Sequence, residues 1–162
     1  MTSPNPVIDE YVTSLAPLRR AIDGMTRDQL VARPIPGKWS TLEVLCHLVD
    51  ADLTTTERIR RMLSSDRPRL MGLAREEMSA LPETNARDAA EELAMIELLR
   101  AQTARILRSM PPEALEREAV VLKPNGEEVV RTVGQFLTGI TGHVAHHLRF
   151  IHEKRLALGL HV

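Results

Sequence analysis

A helix-opening signature recurs along the chain: Thr26-Arg27-Asp28-Gln29, Ser40-Thr41-Leu42-Glu43 and Thr132-Val133-Gly134-Gln135. In each, a Ser or Thr is followed three residues later by Glu or Gln. The hydroxyl accepts from a first-turn N–H that the helix leaves unused, and the Glu or Gln side chain reaches back to the cap's own N–H. A chain that opens helices this often, with apolar residues then recurring at three- and four-residue steps, is bound to pack helix against helix.

Four long helical segments follow from that periodicity. The first covers about Val7–Ile22 on Val7, Tyr11, Leu15, Leu18 and Ile22, with Pro17 expected to kink or break it. A short turn at the Thr26 box and a Pro- and Gly-bearing loop over Arg33–Lys38 lead to the second, Thr41–Ser64. Its buried side is expected to be Leu45, Leu48, Val49, Ile59, Met62 and Leu63. The third begins near Asn85, with Asp88 three residues on, and ends near Met110, before Pro111-Pro112. Leu93, Ile96, Ala104 and Leu107 mark its inner face. The fourth runs from the Thr132 box to about Ala157, with Gly159 as its stop. Between the third and fourth, Asn125-Gly126 flanked by Ala119–Leu122 and Val129-Val130 predicts a β-hairpin. Ser65–Pro82 reads as a long connection with a short helix around Leu73–Met78. The expected fold is all-α, a four-helix bundle in a single domain over residues 1–162. The long connection between helices 2 and 3 permits a crossover.

Composition narrows the function. The 162 residues carry 21 Lys and Arg against 22 Asp and Glu, so the basic excess of a nucleic-acid binder is missing. Aromatics are Tyr11, Trp39, Phe136 and Phe150, too few for a base-stacking platform. A lone cysteine excludes a disulfide framework, and no apolar run approaches a membrane span. The opening residues Met1–Pro6 do not follow the pattern of a secretory signal, so the expected location is the cytoplasm.

The chemistry lies in the histidines: His47, His143, His146, His147, His152 and His161. His143 and His147 are four apart, on one helix face, and can reach a common point. On a helical wheel His147 lies roughly 40° from the centre of the apolar stripe, His143 roughly 80° and His146 about 140°. His143 and His147 therefore flank the core, and His146 points out. Buried imidazoles need partners for their nitrogens, and a metal ion supplies one. An open catalytic site takes a third ligand, and His47, early in the second helix, is the candidate. Against this stands the plainer reading of a structural or surface pair. An HExxH metalloprotease is excluded, since Val144 stands where the Glu would be.

Asp50, three residues after His47, is a candidate to orient a ligand ring or carry a proton, beside its plainer reading as a solvated carboxylate. Cys46 is expected to face away from the core as a half-buried thiol. Trp39 reads as a packing anchor below the second helix, Glu57 and Arg58 as a surface or interface pair. Met62, Met78, Met95 and Met110 read as core fillers, and His152 and His161 have no partner at ligand spacing. Arg19-Arg20 and Arg60-Arg61 read as solvated faces.

Gly37-Lys38-Trp39-Ser40, then Glu43–Asp50 around His47, and Thr132–Gln135 leading into His143–His147, together resemble the DinB/YfiT-like superfamily of metalloenzymes. The resemblance covers roughly Ile8–Leu156. It implies a four-helix bundle binding one divalent metal, nickel or zinc, through His47, His143 and His147. It implies chemistry like that of thiol S-transferases, isomerases or hydrolases, with a low-molecular-weight thiol as a cosubstrate for some members. Residues 65–82 match no motif of the family. The first reading is thus an enzyme in which the ion activates a thiol or water against a small electrophilic substrate. The alternative is a metal- or ligand-binding stress-response bundle without turnover, and a third reading is a structural bundle that forms a homodimer.

Overall fold

The computed structural model describes residues 5–72 and 82–160. The first rod is two helices, α1 (Pro6–Thr13) and α2 (Leu15–Ile22), and a short α3 (Arg27–Val31) follows. Then come α4 (Thr41–Ser64), α5 (Ala89–Arg108) and α6 (Val133–Ala157). All three capping boxes close as the sequence predicts, with both reciprocal hydrogen bonds at Thr26, Ser40 and Thr132.

The first rod breaks at Ser14, three residues before Pro17. A proline in the first turn of a helix is tolerated because its missing N–H would have had no partner there. The chain therefore restarts its helix at Leu15 so that Pro17 falls in that turn. The third rod starts later than Asn85: the cap is Asp88, whose carboxylate accepts from the N–H groups of Ala90 and Glu91. Asn85 belongs instead to a 3₁₀ turn, Pro82–Ala86.

The four rods form a helical bundle, and their adjacency departs from simple sequence order. α4 packs on α5 and α6, and the α1–α2 rod packs on α5 and α6 as well. The first and second rods thus sit across a diagonal, the crossover that the long connection permitted. The apolar positions read from the sequence form the core: Leu18, Leu45, Leu48, Ile96, Leu137 and Ile151 are fully buried.

The hairpin is present, β2 (Glu118–Leu122) against β3 (Glu128–Thr132), in antiparallel register with Val121 opposite Val129. A third strand went unforeseen. β1 (Arg69–Met71), from the long connection, pairs in parallel with β2, Leu70 opposite Val121. Three residues are too short to show a period of two. The next residue is Gly72, whose N–H donates to the Leu122 carbonyl; a Cβ there would meet that oxygen at 2.7 Å. The short helix expected at Leu73–Met78 lies outside the described residues, as does His161.

One polar node ties the rods together. Arg100 and Asp52 have fully buried side chains and form a bidentate pair at 2.8 Å on both arms. Arg100 also donates to the Tyr11 carbonyl and to Ser14 Oγ, each at 2.8 Å, and its guanidinium lies over the Tyr11 ring. The break in the first rod is thereby anchored to α4 through α5. Among the described residues no helix is long and apolar enough to cross a membrane.

Candidate metal centre

His47 rises from the second turn of α4, which the Ser40 box starts and aims. His143 and His147 lie on one face of α6. The structure brings all three together, with one ring nitrogen from each within 4.8 Å of the others. His47 Nε2 and His143 Nε2 are 3.1 Å apart. Ring centroids are 4.9 Å apart for His47 with each of the others, and 4.6 Å for His143 with His147. His146 is exposed, as the wheel predicted.

The arrangement suits a cation. Imidazole nitrogens bind Zn²⁺ at about 2.0–2.1 Å, which puts two ligands at right to tetrahedral angles about 3.0–3.4 Å apart. The 3.1 Å separation falls in that range. His147 Nδ1 is buried with no hydrogen-bond partner. Burial, and next the neighbouring His143 and His47, push the pKa of His147 down to about 3. A ring that stays neutral at physiological pH keeps a lone pair for a metal.

The group stands between two depressions. The larger, a cleft of about 390 Å³, has His47 and His143 at its wall and runs between α4, α6 and the sheet. The smaller, about 200 Å³, is bordered by His147, Phe150 and Trp39.

Several side chains sit differently from expectation. Asp50 does line the cleft, but its described partner is Arg87, whose Nη1 and Nη2 donate to it at 3.3 and 3.2 Å. Arg87 also donates to buried Glu92 at 2.9 and 2.5 Å. Arg87 precedes its helix without periodic spacing, so no pattern marked it. Cys46 is buried in the core, not half-exposed, because the 3₁₀ turn covers it and Thr84 O lies 4.0 Å from its Sγ. Trp39 is 37% exposed and is no buried anchor; its ring packs 5.2 Å from that of His47. Met95 is exposed, since Leu93 and Ile96 already take the inner face of α5. Glu57 pairs with Arg61, one turn on, whereas Arg58 turns into the cleft.

The model of the DinB superfamily matches residues 10–151. The chain belongs to the DinB superfamily. Two curated relatives share the name "putative metal-dependent hydrolase". One is YfiT of Bacillus subtilis (strain 168), 24% identical over 144 residues, covering 89% of this chain and 79% of the relative. The other is from Geobacillus thermodenitrificans (strain NG80-2), 25% identical over 142 residues, covering 88% and 78%. The solved structure of Bacillus subtilis YfiT, described as a "probable metal-dependent hydrolase with an unusual four-helix bundle topology", superposes with a TM-score of 0.82. It is 22% identical and the match covers 99% of this chain and 93% of that one. That likeness extends to the fold of this DinB-superfamily chain.

Proposed function

We propose that this chain is a metal-dependent enzyme of the cytoplasm, a single domain that holds one divalent ion, nickel or zinc, on His47, His143 and His147. It acts on a small electrophilic molecule by hydrolysis or by transfer of a low-molecular-weight thiol. The observation that carries this reading is the meeting of three imidazoles, from two separate rods, at the wall of a 390 Å³ cleft. The hydrolase names of the relatives support it.

Three neutral imidazoles leave such an ion its full charge, so when bound it supplies Lewis acidity and lowers the pKa of an attached water or thiol. The chain supplies the rest. His47 is fixed by the Ser40 cap and by the Trp39 ring packed against it. The Asp50 carboxylate faces the cleft and is oriented by Arg87, so it can take a proton from a nucleophile or return one to a leaving group. Val121, Val129 and Ile140 exclude water along the cleft wall.

Elemental analysis of tag-free protein tests the reading. Wild type should carry about one divalent ion per chain and His143→Ala essentially none. Equal metal in both would remove the site.

A further inference from the structure

The cleft has a second end, chemically unlike the first. Along α4 its lining residues are His47, Asp50, Ala51, Thr55 and Arg58, a single helix face. Along α6 they are His143, Ile140, Gly139, Phe136 and Gln135, also one face. The two faces run in opposite senses, because His47 meets His143 while the Arg58 guanidinium lies 5.9 Å over the Phe136 ring. Eleven residues separate His47 from Arg58, about 16 Å along a helix. Arg131, the residue before the Thr132 cap of α6, borders the same cleft close to Gln135 and Phe136.

The sheet supplies the wall between these ends. On one face β2 and β3 present Val121 and Val129, paired in register, with Arg131 two residues beyond Val129 and Lys123 two beyond Val121. The wall is thus apolar in its middle and basic at its margins. Lys123 is committed to Glu127 at 2.9 Å, and Arg58 donates to the Met71 carbonyl and keeps its other guanidinium nitrogens. Arg131 is exposed and takes part in no ion pair. The described acid in the lining, Asp50, lies nearer the histidines and is held by Arg87.

From this geometry we infer that the cleft binds an elongated small molecule whose far end is an oxyanion, a carboxylate or a phosphate ester, received by Arg58 and Arg131 about three helical turns from the histidines. The inference rests on the proposed function for the reacting end, but the arginine end stands on its own residues. A guanidinium offers a planar fork of donors to such a group, and the apolar wall between favours a short hydrocarbon or ring linking the two ends. An oxyanion at this distance also fixes which part of the molecule lies against the histidines, the positioning that converts binding into orientation.

The test is titration of the full-length protein, followed by amide NMR, with hexanoate, hexyl phosphate and the neutral hexanamide. Four proteins are compared: wild type, Arg131→Gln, Arg58→Gln and His143→Ala. Arg131 is exposed, so its replacement leaves the fold intact. Either anion should bind wild type and His143→Ala alike, and should bind Arg131→Gln and Arg58→Gln about tenfold more weakly. Whichever anion binds tighter names the oxyanion, while hexanamide should bind all four weakly. Equal affinity of wild type and Arg131→Gln for both anions overturns the proposal. So does anion binding that vanishes in His143→Ala and persists in the arginine variants, which would place the anion on the metal. Loss of the metal site with anion binding intact would overturn only the proposed function.

Discussion

His47 Nε2 and His143 Nε2 lie 3.1 Å apart although 96 positions separate them in the chain. Neither can present a proton to the other while both present lone pairs to a common cation, so the pair is completed by an ion bridging α4 and α6. A ligand that binds only the folded state stabilises it by about 2.7 kcal/mol when present at a hundred times its dissociation constant. Zinc or nickel should therefore raise Tm by about 5–10 °C at that excess. His143→Ala should abolish the rise. A shift of equal size in the variant would place the ion elsewhere.

Protonation should oppose the same folded state. His147 sits near pKa 3 in the fold, chiefly through burial, against about 6.5 in the unfolded chain. Between these values the unfolded chain takes up a proton that the folded one refuses, so stability falls as pH drops below about 6.5. The slope from this ring is at most about 1.4 kcal/mol per pH unit, and partial exposure reduces it. Urea melts of chelator-treated protein from pH 7.5 to 5 should show the loss. His147→Gln should flatten it, and identical slopes in both proteins would count against a buried neutral ring.

Arg100 and Asp52 form the costliest polar contact to disturb. Both side chains are wholly enclosed, and Arg100 holds the break at Ser14 to α4. Arg100→Met leaves a buried carboxylate without its cation, which should cost about 3–5 kcal/mol by chemical denaturation. Replacing both partners, with Asp52→Leu added, should recover much of that loss. A double variant as unstable as the sum of the two singles would mean that the pair acts independently of charge.

The sequence carried the helices because its caps and its periodicity agree, and local rules of that kind survive folding. His143 and His147 were legible for the same reason: four-residue spacing is a property of one helix. That His47 meets them is a tertiary fact, suggested by family resemblance and settled in space by the packing of α4 on α6. Arg100 was visible in principle, since it falls on the stripe of Leu93, Ile96, Ala104 and Leu107, where a charge demands a buried partner. Arg87, Arg58 and Trp39 were not, because their roles depend on which loop or strand lies opposite. β1 is three residues long and owes its existence to its partner strand.

Cys46 offers a last check, because it adjoins a proposed ligand without belonging to the site. Burial pushes its thiol up to about 12, with the Arg87 cation pulling the other way. The thiolate is the reactive form, and a raised pKa together with enclosure makes it scarce at neutral pH. Iodoacetamide at pH 7.5 should therefore label native protein at least a hundredfold more slowly than protein in urea, with one adduct per denatured chain by mass spectrometry. Arg87→Met removes the cation and should slow native labelling further, provided the fold holds by circular dichroism. Rapid labelling of the native wild type would show that the 3₁₀ turn at Pro82–Ala86 does not seal the thiol, and would open the α4 face behind His47 to solvent.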